Sequence, residues 1–351
     1  MVSRGAHLRL IGGEDVDPFA DVRAEPRDIL VAIPALNEVD HIEACLDSLL
    51  VGDPRLAEVQ FVVADGGSTD GTRDLLTALS ARHPNVRWID NPKKLQSAGI
   101  NAVASRATSQ SILIRCDAHS IYPEGYVTQV ADALLQKRVA SLVVPMDAVG
   151  EGCFQKANAW VVDTPLGSGG SAHRGGTQSK FVDHGHHAGF DLAVFRSVGG
   201  YDETFSHNED AEYDTRVAGI GGRIFLDAGI RLKYLPRASA GALARQYFNY
   251  GKGRARTIAK HKVRPRPRQL FPVLNLIALL GALAIAPMFP LALAYPAAYG
   301  LALLAASVGL SVKHRSVCGL LAGPAAAIMH VSWAAGFLRQ QFRQVRPQAS
   351  S

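Results

Sequence analysis

The sequence predicts an α/β protein built on a doubly wound, mainly parallel sheet, followed by C-terminal transmembrane helices. From residue 28 to about residue 144, short β-branched and aliphatic runs alternate with segments of helical apolar spacing. Such alternation builds parallel strands joined by crossover helices that cover both faces of the sheet. Further on, residues 271 to 312 carry no Asp, Glu, Lys or Arg, whereas the stretch just before them is crowded with base. That break separates a soluble domain from membrane segments. The expected layout is an N-terminal arm over 1–27, a catalytic or binding domain over 28–262 and a membrane region over 263–351.

The elements follow in order. After the polar arm, "DILVAIPALN" reads as a buried strand and "EVDHIEACLDSLL" as a helix. "VQFVVADGG" is a second strand, "STDGTRDLLTALSARH" a helix opened by small capping residues, and "VRWID" a third strand. "LQSAGINAVASRA" (helix), "SILIRCD" (strand), "EGYVTQVADALLQK" (helix) and "ASLVVPM" (strand) continue the pattern. Residues 150–185 are rich in Gly, Ser and His with little periodicity, and read as a long mobile loop. Order returns with "AGFDLAVF", the turn "VGGYDETF", a helix in "HNEDAEYDTRVAGIGG" and two short strands, "RIFLD" and "RLKYL". An amphipathic basic helix spans about Ser239 to His261. Two apolar spans break near Pro287 and Pro290, and residues 316–338 are long enough for a third.

Charge and cysteine usage narrow the class. The chain has a formal net charge of +6, and Lys252, Arg254, Arg256, Lys260, Lys262, Arg264, Arg266 and Arg268 stand together without an acid. Beside a membrane segment this reads as a positive-inside flank against acidic head groups. No nucleic-acid-binding module accompanies it, so nucleic acid is not expected as a partner. Three spans would put the basic tail of Arg339, Arg343 and Arg346 on the far side, against that rule, so two spans and three stay open. Four scattered cysteines form no C-x-x-C pair and suggest neither a zinc knuckle nor a disulfide framework; a reducing, cytosolic face suits the first 250 residues. The N-terminus lacks an apolar run of signal-peptide length.

In doubly wound sheets ligands bind beyond the carboxyl ends of the strands. The residues there are Pro34 to Glu38, Asp65 to Ser68, and Asp117 to His119. In "VVADGGSTDGT", Asp65 and two glycines let backbone approach a ligand closely, although an Asp capping the next helix accounts for the same pattern. The stretch is neither GxGxxG nor a Walker loop. In "RCDAHS", Asp117 and His119 could share a divalent cation that bridges diphosphate oxygens, and Mn²⁺ accepts the nitrogen donor. A plain surface turn is the rival reading of D-x-H. In "HNEDAEYD", Glu209 or Asp210 could deprotonate an acceptor hydroxyl, although acids at a helix start also complement its dipole. His173, His184, His186 and His187 could form a metal cluster, but their spacing matches no usual pattern.

"IPALNE", "VVADGGSTDGT", "NPKKLQSAGIN", "DAH", "VGGYDE" and "NEDAEYDTR", in this order over roughly residues 28 to 260, resemble the blocks of glycosyltransferase family 2, inverting enzymes with the nucleotide-diphosphosugar transferase (GT-A) fold. The resemblance implies that Pro34, Asn37 and Glu38 line the nucleotide pocket and that Asp65 accepts a hydrogen bond from uracil. Asp117 would lie beside the ribose and diphosphate, with His119 in place of the second Asp of the family's D-x-D and a divalent cation, Mn²⁺ or Mg²⁺, held by Asp117 and His119. Asp210, of the E-D pair, would be the catalytic base. Arg254, by charge and position, could help neutralise the leaving diphosphate. The Q-x-x-R-W block of processive members is missing, which favours a single addition. The D-A-H variant and the apolar C-terminal third are most similar to members of exopolysaccharide synthesis. That likeness implies a UDP-sugar donor, with glucose first in line, and a polyprenyl-diphosphate saccharide acceptor. The catalytic domain would then face the cytoplasm at a bacterial inner membrane. A polyprenyl-phosphate sugar synthase and a non-catalytic nucleotide-sugar-binding subunit are the alternatives.

Overall fold

The computed structural model describes residues 22–171, 174 and 176–345. The N-terminal arm up to residue 21, His173 and Arg346 lie outside the described residues. Strands β1 (Ile29–Ala35), β2 (Gln60–Asp65), β3 (Val86–Asp90) and β4 (Ile112–Arg115) alternate with helices α1 (Ile42–Leu49), α2 (Thr72–Arg82) and α3 (Gln96–Ala104). Then come α4 (Tyr126–Lys137), β5 (Ser141–Val144), β6 (Met146–Ala148), α5 (Cys153–Val162), α6 (Pro165–Ser168), β7 (Lys180–Val182), β8 (His186–Asp191) and α7 (Leu192–Ser197). The domain closes with α8 (Glu209–Gly219), β9 (Ile224–Leu226), β10 (Leu232–Tyr234) and α9 (Ala240–His261).

Eight strands form one sheet in the order β3-β2-β1-β4-β8-β5-β9-β7, while β6 and β10 pair in a small second sheet. Pairs β1–β2, β1–β4, β2–β3 and β5–β9 are parallel; β8 runs antiparallel to both its neighbours, and β7 to β9. The central strands are buried on both faces, as a sheet covered by helices on each side requires. The chain builds β1, β2 and β3 outward in one direction and then returns to place β4 on the other side of β1. This switch point opens a crevice between the loops that follow β1 and β4.

Three readings of the sequence are corrected. "ASLVVPM" is two strands rather than one, because Pro145 separates β5 from β6. The expected loop over 150–185 holds α5, α6 and β7. The apolar side of α5, Ala157, Val161 and Val162, packs on the apolar C-terminal helices, a long-range contact that local periodicity cannot reveal. Cys153 and Cys318 form a disulfide across 165 residues of sequence, joining α5 to the turn ahead of the last helix. Spacing gave no hint of that pair, and with it the cysteine-based ground for a reducing face is withdrawn. Cys45 and Cys116 are free and buried.

The apolar C-terminal third forms α10 (Pro267–Ile285), α11 (Ala294–Lys313) and α12 (Ala322–Val345). Three helical segments, Pro267–Ile285, Pro290–Lys313 and Val317–Arg343, are long and apolar enough to cross a membrane. Their surroundings differ. The first two are 17% and 6% buried within the protein, whereas the third is 44% buried. Helix α12 runs along α9, closely enough that a Cβ on Gly251 would collide with the Trp333 carbonyl and one on Gly336 with the Phe248 carbonyl. Helix α9 is in turn held to α8 by Lys260 and His261, both within 2.9 Å of Glu212. The last apolar segment is therefore packed against α9, while Leu274, Ile277, Leu280 and Leu283 of α10 and Leu301, Leu304 and Val308 of α11 are exposed.

Candidate active site

The crevice at the switch point gathers most of the predicted residues. Asn37, in the left-handed region at φ 56°, turns the chain after β1. Its backbone N–H donates to Ser68 Oγ (2.8 Å) and its Oδ1 accepts from the Thr69 N–H (2.9 Å), tying the loop after β1 to the loop after β2. Pro34 lies in β1 beside Ala64 of β2, and the Glu38 N–H donates to Thr72 Oγ1 at 2.9 Å. Asp65 is fully buried. It accepts from the Gly67 N–H (3.0 Å), the Ser68 N–H (3.2 Å) and Ser68 Oγ–H (2.5 Å), and its Oδ2 lies 3.1 Å from Arg73 Nε. Both its oxygens thus hold the turn, so in this arrangement the carboxylate shapes the pocket from behind.

Asp117 follows β4. Its Oδ1 accepts from Gln96 Nε2 at 3.0 Å and lies 3.5 Å from Arg115, and its Oδ2 is 3.9 Å from His186 Nε2. Burial and then Arg115 push the His186 pKa down to about 4, so this imidazole is neutral and keeps a lone pair. His119 is exposed, and its Nδ1 spans the crevice to Glu38 Oε1 at 3.2 Å. That hydrogen bond, more than partial burial opposes it, raises the His119 pKa.

Among the described residues no cluster of three His, Cys, Asp or Glu side chains is poised on one point. The donor chemistry nevertheless fits a divalent cation such as Mn²⁺: a carboxylate oxygen of Asp117 faces a neutral imidazole, and His119 stands two residues on. The His-rich segment separates into two roles. His184 Nδ1 and His187 Nε2 lie 2.6 and 2.7 Å from the two oxygens of Asp214, whereas His186 faces Asp117.

Asp210 is in the first turn of α8. Its Oδ1 accepts from Tyr201 Oη–H at 2.6 Å and from Arg115 Nη1 at 2.8 Å, and Oδ2 has no hydrogen-bond partner among the described residues. Burial raises its pKa, but Arg115 first, then His187, His186 and the Tyr201 hydrogen bond, outweigh burial and hold the carboxyl far below the usual range. The neighbouring Glu209 goes the other way. Burial and the Asp210 charge push it up to about 7.

Tyr201 is itself clamped, its N–H and C=O bonded to Asn101 Oδ1 (2.9 Å) and Nδ2 (2.8 Å). Gly200, at φ +66°, lets the chain pass so close that a Cβ would stand 2.5 Å from Asn101 Oδ1. The "NPKKLQSAGIN" and "VGGYDE" blocks are thus two halves of one support for Asp210.

Asp117, His119, His186, Glu209, Asp210 and Arg254 all line one cavity of about 890 Å³, whose wall also includes Phe271, His330 and Trp333 of the apolar C-terminal helices. Pro34, Asn37, Glu38 and Asp65 lie outside its wall, around the switch point. Sequence reading missed Arg115, Gln96 and the role of His186. Arg115 left one signal, a cation at the end of an otherwise apolar strand in "ILIRCD"; the other two left none.

The Glycosyl transferase family 2 model matches residues 30–199. The chain is 42% identical to the succinoglycan biosynthesis protein ExoA of Rhizobium meliloti (strain 1021), over 89% of this chain and 94% of that protein. It is 24% identical, over 66% of this chain and 74% of the relative, to the Methanococcus voltae dolichyl N-acetyl-alpha-D-glucosaminyl phosphate 3-beta-D-2,3-diacetamido-2,3-dideoxy-beta-D-glucuronosyltransferase. Among solved structures, the mannosyltransferase PcManGT from Pyrobaculum calidifontis, in complex with GDP-Man and Mn²⁺, superposes with a TM-score of 0.57 at 20% identity, covering 92% of this chain and 90% of that one. That likeness carries the fold.

Proposed function

The chain belongs to glycosyl transferase family 2, and on that premise we propose that it moves a hexose, glucose first in line, from a UDP-sugar to a lipid-linked saccharide in exopolysaccharide assembly. Support comes from one observation above all: Asp210, with Oδ2 unpartnered, faces a cavity that leads from Asp117 to the membrane-region helices.

In this reading Asn37 and Glu38 border the nucleotide pocket, and Asp65 holds the turn behind it. Asp210 takes the proton of the acceptor hydroxyl, whose oxygen attacks the anomeric carbon from the face opposite the diphosphate, inverting configuration. Arg115 keeps Asp210 ionised and Tyr201 fixes its orientation. Asp117 and His186, with His119 once it releases Glu38, would hold a divalent cation, which when bound neutralises charge on the departing UDP.

The test is UDP release by the full chain in detergent, with UDP-glucose and a polyprenyl-diphosphate saccharide. Acceptor-dependent release is expected. Tight UDP binding with no release from any common UDP-sugar would leave a non-catalytic subunit instead. Chelation with EDTA should lower the rate at least 100-fold, with recovery on adding Mn²⁺, because leaving-group charge then goes unneutralised. Undiminished turnover in EDTA would remove the cation from the reaction.

The same reading places the catalytic domain on the cytoplasmic face of the inner membrane, with α10 and α11 entering the bilayer. Because α12 lies along α9, the last turns of α12 belong on the side of the catalytic domain, and Arg339 and Arg343 then obey the positive-inside rule. A phosphatase reporter that works only outside the cytoplasm should be inactive when fused after residue 351; strong activity would mean that α12 crosses.

A further inference from the structure

The cavity extends well beyond the reacting groups. Its wall also takes in residues of α5–α6, α9, α10 and α12, Phe271 and Trp333 among them. Besides Arg115 and Arg237, three guanidinium groups from three separate segments line the same cavity: Arg174 after α6, Arg254 on α9, and Arg268 at the start of α10.

None of the three forms an ion pair with a carboxylate among the described residues. The acids around them are largely committed elsewhere: Asp214 to His184 and His187, and Asp183 to Arg266 at 3.0 Å. Asp163 lies close enough to Arg174 to feel its charge, and among the described residues its own Oδ1 is buried without a partner. Arg174 lies 4.4 Å over the Tyr234 ring with Nη1 buried and unpartnered. Burial, reinforced by Arg268 and Arg266 and only partly opposed by Asp214, holds Arg254 down to about 10.

Gathering unpaired cations in a partly enclosed space costs stability unless an anion joins them, and guanidinium forks match phosphate oxygens in shape as well as charge. The setting selects the anion. In the reading above the nucleotide lies around the loops after β1 and β2, whereas Arg254 and Arg268 stand on helices beside the apolar C-terminal segments, and Phe271 and Trp333 line the same cavity.

We propose that Arg174, Arg254 and Arg268 bind the diphosphate of a polyprenyl-linked acceptor, whose lipid chain leaves past Phe271 and Trp333 while its saccharide reaches back to Asp210. This rests on the sugar-transfer reading above and reassigns Arg254 from the donor's diphosphate to the acceptor's. It gives the lipid carrier a fixed anchor, so that the position of the attacking hydroxyl is set by the length of the glycan between anchor and base.

The experiment is isothermal titration of the full chain in detergent with farnesyl diphosphate, inorganic pyrophosphate and, separately, UDP with Mn²⁺. Farnesyl diphosphate should bind at least tenfold tighter than pyrophosphate, and Arg254→Ala and Arg268→Ala should each weaken it tenfold or more while UDP affinity in Arg268→Ala stays within twofold. Loss of UDP binding in Arg254→Ala with farnesyl diphosphate unaffected would return that arginine to the donor and overturn the proposal. Equal affinity for farnesyl diphosphate and pyrophosphate would overturn the lipid source, leaving a free-anion site. Should Arg254→Ala fail to fold, Arg268→Ala, at an exposed helix start, decides alone. Lipid-diphosphate binding that survives in a protein showing no UDP release would sink sugar transfer and leave this site standing.

Discussion

Replacing Asp210 by Asn is expected to lower kcat for transfer to a hydroxyl acceptor by about 10³-fold, within the range that a positioned base supplies, while UDP affinity changes little. Asn preserves the volume and can still meet Tyr201 and Arg115, but it cannot take a proton. Glu209→Gln is the informative companion. Glu209 sits at about 7 and Asp210 far below it, so the pair shares the environment unequally: one carboxylate is ionised across the working range, the other half protonated near neutrality. Glu209→Gln should cost less than tenfold and flatten any inflection of the rate near pH 7. If Glu209→Gln is the dead variant and Asp210→Asn retains most of its activity, the base is Glu209. If both retain it, a lipid phosphate is attacking directly and little base catalysis is needed, as in a polyprenyl-phosphate sugar synthase.

Arg115→Met carries the second large effect. Arg115 is 5% exposed and stands between Asp210, at 2.8 Å, and Asp117, at 3.5 Å. Removing it leaves two partly enclosed carboxylates without their cation, a change that costs about 3 kcal/mol or more in buried pairs. The sign of the pH dependence follows from Asp210. Its folded pKa is depressed, so its contribution is present above the unfolded carboxyl value of about 3.9 and is lost as pH falls through the folded value. In the variant burial is opposed only by the histidines and the Tyr201 hydrogen bond, Asp210 titrates higher, and the acid limb of activity should move up in pH. Urea unfolding at pH 7.5 reads the first effect and the pH–rate profile the second. A variant of unchanged stability with an unmoved acid limb would show that Arg115 does not govern Asp210.

Much of the fold was legible because it is written in local period. Strands β1, β2, β4 and β5 are short apolar runs, buried on both faces, β3 is a half-exposed edge strand, and the intervening helices carry their own spacing and punctuation. The edge residues were equally legible, since a doubly wound sheet exposes whatever follows each strand: Asn37, Glu38, Asp117 and His119 come together for that reason. Local pattern could not say what a side chain does once it arrives. Asp65 ends its strand as expected, yet it is consumed by the Gly67–Ser68 turn and Arg73. The segment 150–185 looked formless because α5 buries its apolar side against α12, far away in sequence, and the Cys153–Cys318 pair was hidden by the same distance.

By itself the sequence determined the alternating sheet, the order of the blocks, the acids that could serve as base or ligand, and the apolar helices at the C-terminus, all of which depend on residues close together in the chain. Only the tertiary structure decided which charges meet. It set Arg115 between Asp117 and Asp210, split the histidines between Asp214 and Asp117, laid α12 along α9 through Gly251 and Gly336, and turned three scattered arginines toward one cavity. The physical reason is range. Secondary structure follows from hydrogen bonds and burial patterns within a few residues, whereas the strength of a charge or the state of a carboxyl depends on neighbours that only the packed fold supplies.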